Sequence, residues 1–245
     1  MRWLVVVLVL LSSCREKSAP VTEVKIAAAS DLTEAFEDLA KQFEAETKLH
    51  VSFSFGSSGL LAKQISEGAP FDLFASANER FVQETVTAGA CDGATSAHFA
   101  RGRLALYGLT TPTSLDVLTA DTTKKIALAN PEHAPYGKAA REVLEKSALL
   151  EKVNDKLVSS ENVRQALQFA KTGNAQFAFV AWANVAPEER GTKALLIDSS
   201  LHAPLDQSLV ICPKRGKNAE GAKGFAEFLK RPSSIETLKR FGFEP

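Results

Sequence analysis

The chain has 245 residues, 45% of them hydrophobic and 24% charged, enough to bury a core in two modest lobes and too apolar for a disordered chain. Its 29 Lys and Arg balance 29 Asp and Glu. That balance leaves no electrostatic footprint for nucleic acid, and an anionic ligand would have to be held by local dipoles rather than by a basic surface.

The N-terminus reads as an export signal. Met1-Arg2 is a short basic start, Trp3 to Leu11 is an unbroken apolar run too short to span a bilayer as a mature helix, and Ser12-Ser13-Cys14 follows. Residues 1–14 are expected to be a lipoprotein-type signal, with Cys14 lipid-modified and anchoring the protein to the bacterial membrane on its outer side. An ordinary signal peptide with an incidental Cys14 is the simpler alternative. Residues 15–23, polar with one proline, read as a tether. Export also permits a disulfide. Cys91 and Cys212 stand far apart in sequence, however, and spacing cannot establish geometry; two buried free thiols are the preferred expectation.

From Val24 strand and helix alternate. Val24 to Ala29 suits a buried parallel strand, and Leu32, Ala35, Phe36, Leu39, Ala40 and Phe43 recur at helical spacing. Val51, Phe53 and Phe55 alternate as a strand; Leu60, Leu61 and Ile65 mark a helix that Gly68 can end. Asp72 to Ala75 is a further strand and Glu79 to Ala88 a further helix. This βαβαβα order is the signature of a parallel sheet with helical crossovers. A second series follows, with strands at Leu104–Tyr107, Lys125–Ala129 and Phe177–Ala181 and helices at Lys138–Lys146 and Asn162–Thr172. The tail offers one strand, Ser208–Cys212, and helices at Ala219–Lys230 and Ser234–Phe241, too little for a third domain. It is expected to return to the first unit, giving lobe 1 as residues 24–101 plus 205–245 and lobe 2 as 102–204. Two crossings between lobes make a hinge and a cleft, and ligands in open α/β sheets bind at the carboxyl ends of strands near helix N-termini.

The turns after the strands carry the chemistry. Ala27-Ala28-Ala29-Ser30-Asp31 and Phe55-Gly56-Ser57-Ser58-Gly59 each run from strand into helix and put small hydroxyls where backbone N–H groups lack intrahelical partners. Hydroxyls with free N–H groups at a helix start hold an anion without any cationic side chain. The plainer reading makes Ser30 and Ser58 ordinary N-caps; at Ser30, Asp31 could cap and Glu34 close a capping box, leaving that hydroxyl free. Asn130 to Gly137 is a turn fixed by two prolines, in which Gly137 permits close backbone approach, and Asn162-Val163-Arg164 opens another helix.

An enzyme needs a different constellation. Leu60 stands where a G-x-S-x-G elbow around Ser58 would need glycine. His50, His98, His133 and His202 show no metal-ligand spacing, and no Walker loop or G-x-G-x-x-G is present. The rival is an exported serine hydrolase using Ser58 with His133.

Taken together, Ala27 to Ser30, Phe55 to Ser58, Gly68 to Ala77, Asn130 to Gly137 and Glu161 to Leu167 resemble, in order and spacing, the periplasmic molybdate-binding proteins of ABC transporters. The likeness runs from about Val24 to Phe243. It implies an α/β, two-lobed type II periplasmic binding fold, each lobe a mixed, mainly parallel sheet flanked by helices, with the ligand cleft between them. It implies capture of molybdate or tungstate for an ABC permease by a monomer with no cofactor and no catalysis, the alternative being another tetrahedral oxyanion such as sulfate. Carried over by position, the ligands are Ser30 and Ser58 through hydroxyl and N–H, and Tyr136 and Val163 through N–H. The molybdenum is held only through its oxygens, with no direct protein ligand. Many members add a tyrosine hydroxyl; the matching position here is Ala181, which has no donor, and the Tyr136 hydroxyl is the candidate replacement. The matched positions offer no carboxylate to accept a proton, which argues against phosphate.

Overall fold

The computed structural model describes residues 23–244. Cys14, the export signal and the tether to Thr22 lie outside the described residues.

Ten strands and eight α-helices alternate along the described residues. The first unit opens with β1 (Glu23–Ala29), α1 (Thr33–Thr47), β2 (His50–Gly56), α2 (Ser58–Ser66), β3 (Leu73–Ser76), α3 (Glu79–Thr87) and β4 (Asp92–Gly102). The second holds β5 (Leu104–Gly108), β6 (Ile126–Ala129), α4 (Pro135–Lys146), α5 (Leu150–Val153), β7 (Leu157–Ser160), α6 (Val163–Lys171), β8 (Phe177–Ala181) and β9 (Ala194–Leu196). The chain then returns with β10 (Leu205–Ile211), α7 (Ala219–Leu229) and α8 (Pro232–Phe241).

Two five-stranded sheets result, ordered β2-β1-β3-β10-β4 and β7-β6-β8-β5-β9. Both are mixed. β1 pairs parallel with β2 and β3, and β6 with β7 and β8; β10 and β5 are each antiparallel to both of their neighbours. In each sheet a single strand, β10 or β5, therefore runs against the rest, and the expected mainly parallel direction holds. The returning β10 inserts between β3 and β4 of the first sheet. The chain thus passes between the sheets twice, at Arg103 and in the stretch before Leu205.

The helix spacing read in the sequence is the buried stripe of α1: Ala35, Phe36, Leu39, Ala40 and Phe43 face inward. Phe36 and Phe43 meet Phe225 of α7 edge-on, at centroid distances of 5.7 and 5.4 Å. Such pairs add about 0.5–1.5 kcal/mol each beyond their buried area, so α7 is tied to the first sheet although it is remote in sequence. Pro135 and Pro232 stand in the first turns of α4 and α8, where a missing N–H costs nothing.

Three strands escaped the sequence reading: β4, β7 and β9. The longest, β4, is mostly exposed or half-buried and has few apolar residues, so no buried run marks it. Its ladder to β10 is also irregular. The preference for free thiols is overturned: Cys91 and Cys212 form a disulfide. The α3–β4 turn and the end of β10 meet across a buried cluster with Phe74, Val82 and Val210, a proximity that exists only after β10 has returned.

Candidate functional site

Four helix starts converge on one small cavity of about 10 Å³ between the two units. Ser30 opens a 3-10 turn that runs into α1, Ser58 begins α2, Tyr136 lies in the first turn of α4 and Val163 begins α6. All four residues line the cavity, with Ser57, Asn162 and Asp31. Among the described residues, no Lys or Arg lines it. The first N–H groups of a helix have no intrahelical acceptor. Among the described residues, no loop or side-chain acceptor takes the N–H of Ser58, Tyr136 or Val163.

Capping accounts for little at these helix starts. Neither the turn at Ser30 nor α2 nor α4 has a side-chain cap; α6 is capped by Asn162, whose Oδ1 accepts from Gln165 N. Ser58 is no cap: its Oγ accepts the Ala77 N–H at 3.1 Å, which leaves its own proton free to point elsewhere. The expected capping box does not form. Asp31 accepts instead from Gln207 Nε2 at 2.8 Å, and Glu34 takes Asn184 Nδ2 at 2.6 Å and Arg164 at 3.2 Å.

The units touch on both flanks of the cavity. On one, the His133 carbonyl accepts from Gly59 N at 2.8 Å and from Ser57 Oγ at 2.5 Å. A Cβ at Gly59 would fall 2.8 Å from that of His133, so only glycine lets the start of α2 come this close. On the other flank, Asn184 donates to the Asp31 carbonyl at 3.1 Å as well as to Glu34. Nothing in the sequence pointed to Asn184; its partners lie about 150 residues away, in the other unit.

The hydrolase pairing of Ser58 with His133 is not formed. Ser57 is the neighbour, with His133 Nδ1 2.7 Å from its Oγ. The same Oγ also donates to the His133 carbonyl, and among the described residues no acid pairs with His133 to orient it as a base.

Ala181 closes β8 and is fully buried opposite Leu104; it does not line the cavity. The Tyr136 hydroxyl lies between Asp31 and the end of β4 at Gly102. A Cβ at Gly102 would lie 2.1 Å from this oxygen and 3.0 Å from Gln207 Nε2. Buried there, the hydroxyl makes no hydrogen bond of normal geometry, yet it stands close enough to Asp31 to act on it electrostatically. Burial first, then the neighbouring Asp31 carboxylate, raises its pKa well above 10.

Asp31 is the residue that the sequence reading misjudged. Only 1% exposed, its carboxyl is pushed by burial from 3.8 up to about 7, against the opposing pull of Tyr136 and Gln207. Asp31 is thus a buried acid among the residues that line the cavity.

A cleft between two α/β units, ringed by four helix starts of which three have no side-chain cap, is the architecture of a solute-binding protein. The chain belongs to the bacterial extracellular solute-binding protein family, whose model matches residues 24–244. It is 34% identical to the molybdate-binding protein ModA of Rhodobacter capsulatus, over 92% of this chain and 89% of that one. It is 31% identical to YvgL of Bacillus subtilis, named as a putative ABC transporter substrate-binding lipoprotein, over 95% and 89%. The solved periplasmic molybdate-binding protein of Azotobacter vinelandii superposes with a TM-score of 0.85 at 28% identity, over 91% of this chain and 99% of that one.

Proposed function

We propose that this protein captures molybdate or tungstate outside the cytoplasm and delivers it to the membrane permease of an ABC transporter. The observation that carries the reading is the ring of four helix starts around a small cavity with no cationic side chain. The relatives named for molybdate give it the anion.

Capture works by desolvation. Each oxygen of a dianion leaving water must find a donor, because an unpaired buried polar group costs about 1–3 kcal/mol or more. Ser30 and Ser58 supply hydroxyl and N–H, and Tyr136 and Val163 supply N–H. Fixed dipoles at the helix starts add a favourable potential without a counter-charge that would bind any anion tightly. Ala181 contributes nothing. Residues 24–101 with 205–245, and 102–204, act as lobes that close about the two crossings. The protein works as a monomer, and a lipid on Cys14 tethers it to the membrane, a reading supported by the lipoprotein YvgL.

Calorimetric titration with molybdate, tungstate, sulfate and phosphate tests the anion. Molybdate and tungstate are expected to bind far more tightly than the other two near neutral pH; equal affinity for phosphate or sulfate overturns the assignment. Cys14→Ser is expected to abolish labelling by a fatty-acid analogue and release the protein from membranes, and unchanged labelling refutes the anchor.

A further inference from the structure

Beside the ring of donors lies a group that an anion site should avoid. Asp31 is buried next to Ser30 and borders the same cavity. Its Oδ2 accepts from Gln207 of β10, and the Tyr136 hydroxyl of α4 faces it. Among the described residues, no cation pairs with it. Arg103, whose charge acts on Tyr136, donates its Nε to the Gly242 carbonyl and pairs with Glu244. Glu34 of α1 adds a like charge, and Asn184 reaches only the Asp31 carbonyl. His133, across the cavity, is bonded to Ser57. The cluster also holds unpaired buried oxygens: Tyr136 Oη and Gln207 Oε1 have no partner. Gln207 and Tyr136 can donate to an ionised Asp31, but neither carries a charge that balances it.

We propose that Asp31 couples anion capture to the uptake of one proton: the carboxylate takes a proton from solvent as the dianion enters and returns it as the dianion leaves. The inference rests on the oxyanion reading of the cavity. A buried carboxylate on a residue that lines the same cavity as the dianion is disfavoured, since burial weakens screening and like charge raises proton affinity. Protonation removes the repulsion. With its amide turned over, Gln207 offers Oε1 to the new O–H, and Tyr136 can do the same through its oxygen. Burial already holds the free carboxyl at about 7, so the coupling falls in the neutral range. Capture would thus place the dianion beside a neutral acid rather than a carboxylate, without any Lys or Arg.

The test is calorimetry of the whole protein with molybdate, repeated in buffers of different ionisation enthalpy from about pH 6 to about pH 9. Uptake is expected to be small at the acid end and to approach one proton at the alkaline end. Affinity is expected to fall about tenfold per pH unit above the free carboxyl's pKa. Asp31→Asn, neutral at every pH, is expected to bind molybdate with no uptake and a flat profile. His133→Gln is expected to keep the uptake. Molybdate binding by the parent with no proton taken up at any pH overturns the proposal, as does uptake that persists in Asp31→Asn, which would put the proton on the anion itself. Should that variant not fold, infrared difference spectra of the parent decide: a protonated carboxyl signal must appear on adding molybdate at the alkaline end, and its absence refutes the coupling. Failure to bind molybdate at any pH would instead fail the functional reading.

Discussion

Removing the charge at Asp31 is expected to stabilise the protein without any anion, and more at higher pH. The buried carboxyl has its pKa raised from 3.8 to about 7, roughly three units at about 1.4 kcal/mol each, or about 4 kcal/mol in all. The sign follows from the direction of the shift. The folded protein prefers the neutral acid, so this contribution is fully present below the unfolded-state pKa and is lost as pH climbs through about 7. Asparagine stays neutral throughout. Its Oδ1 can accept from Gln207 as the carboxylate does, and one N–H of its amide can donate to the Tyr136 oxygen. Between about pH 5 and about pH 8 the advantage of Asp31→Asn over the parent should widen by about 2–3 kcal/mol. For a chain of this size each kcal/mol moves Tm by roughly 2–4 °C, so the gap in Tm should grow by several degrees. Differential scanning calorimetry of both proteins at the two pH values, free of oxyanions, measures it. Any packing or hydrogen-bonding change made by the amide itself does not depend on pH and cancels in the comparison. A Tm gap identical at the two pH values would show the account to be wrong, because the folded carboxyl would then be ionised at both, as it is in the unfolded chain.

Ser58→Ala and Ser30→Ala should each weaken molybdate binding by about 1–3 kcal/mol in titration calorimetry while leaving measurable affinity, since the helix starts survive both changes. Ser58→Ala should be the costlier for stability, as it also strips the Ala77 N–H of its buried acceptor; an unchanged Kd for both would remove the hydroxyls from the ligand set. Reducing Cys91–Cys212, or replacing both by alanine, should lower thermal stability by about 2–5 kcal/mol, because the bridge closes a long loop in the unfolded chain. Equal urea midpoints for the oxidised and reduced protein would contradict this.

Most of the scaffold is legible in the residues alone. Apolar runs such as Val24–Ala29 and Phe177–Ala181 read as buried strands, and the stripe from Ala35 to Phe43 as a helix facing a core. The turns at Ser30, Ser58 and Val163 read as helix starts because small and polar residues there have a local mechanical meaning that needs no distant partner, whereas α4, expected from Lys138, begins in the fold at Pro135 and takes in Tyr136. The rest depends on contacts between residues far apart in the chain, which exist only once it has folded. β4 has too few apolar residues to announce itself and exists through its ladder to β10. Cys91 reaches Cys212 for the same reason. Asn184 became part of the site only when the second unit met the first. Asp31 shows the limit most sharply: in sequence it is a helix-capping acid, because local rules reward an acid at that spot. In the fold, the returning strand brings Gln207 to it, α4 brings Tyr136, and water is excluded. Burial and long-range neighbours set a carboxyl's charge, and neither is written in the residues beside it.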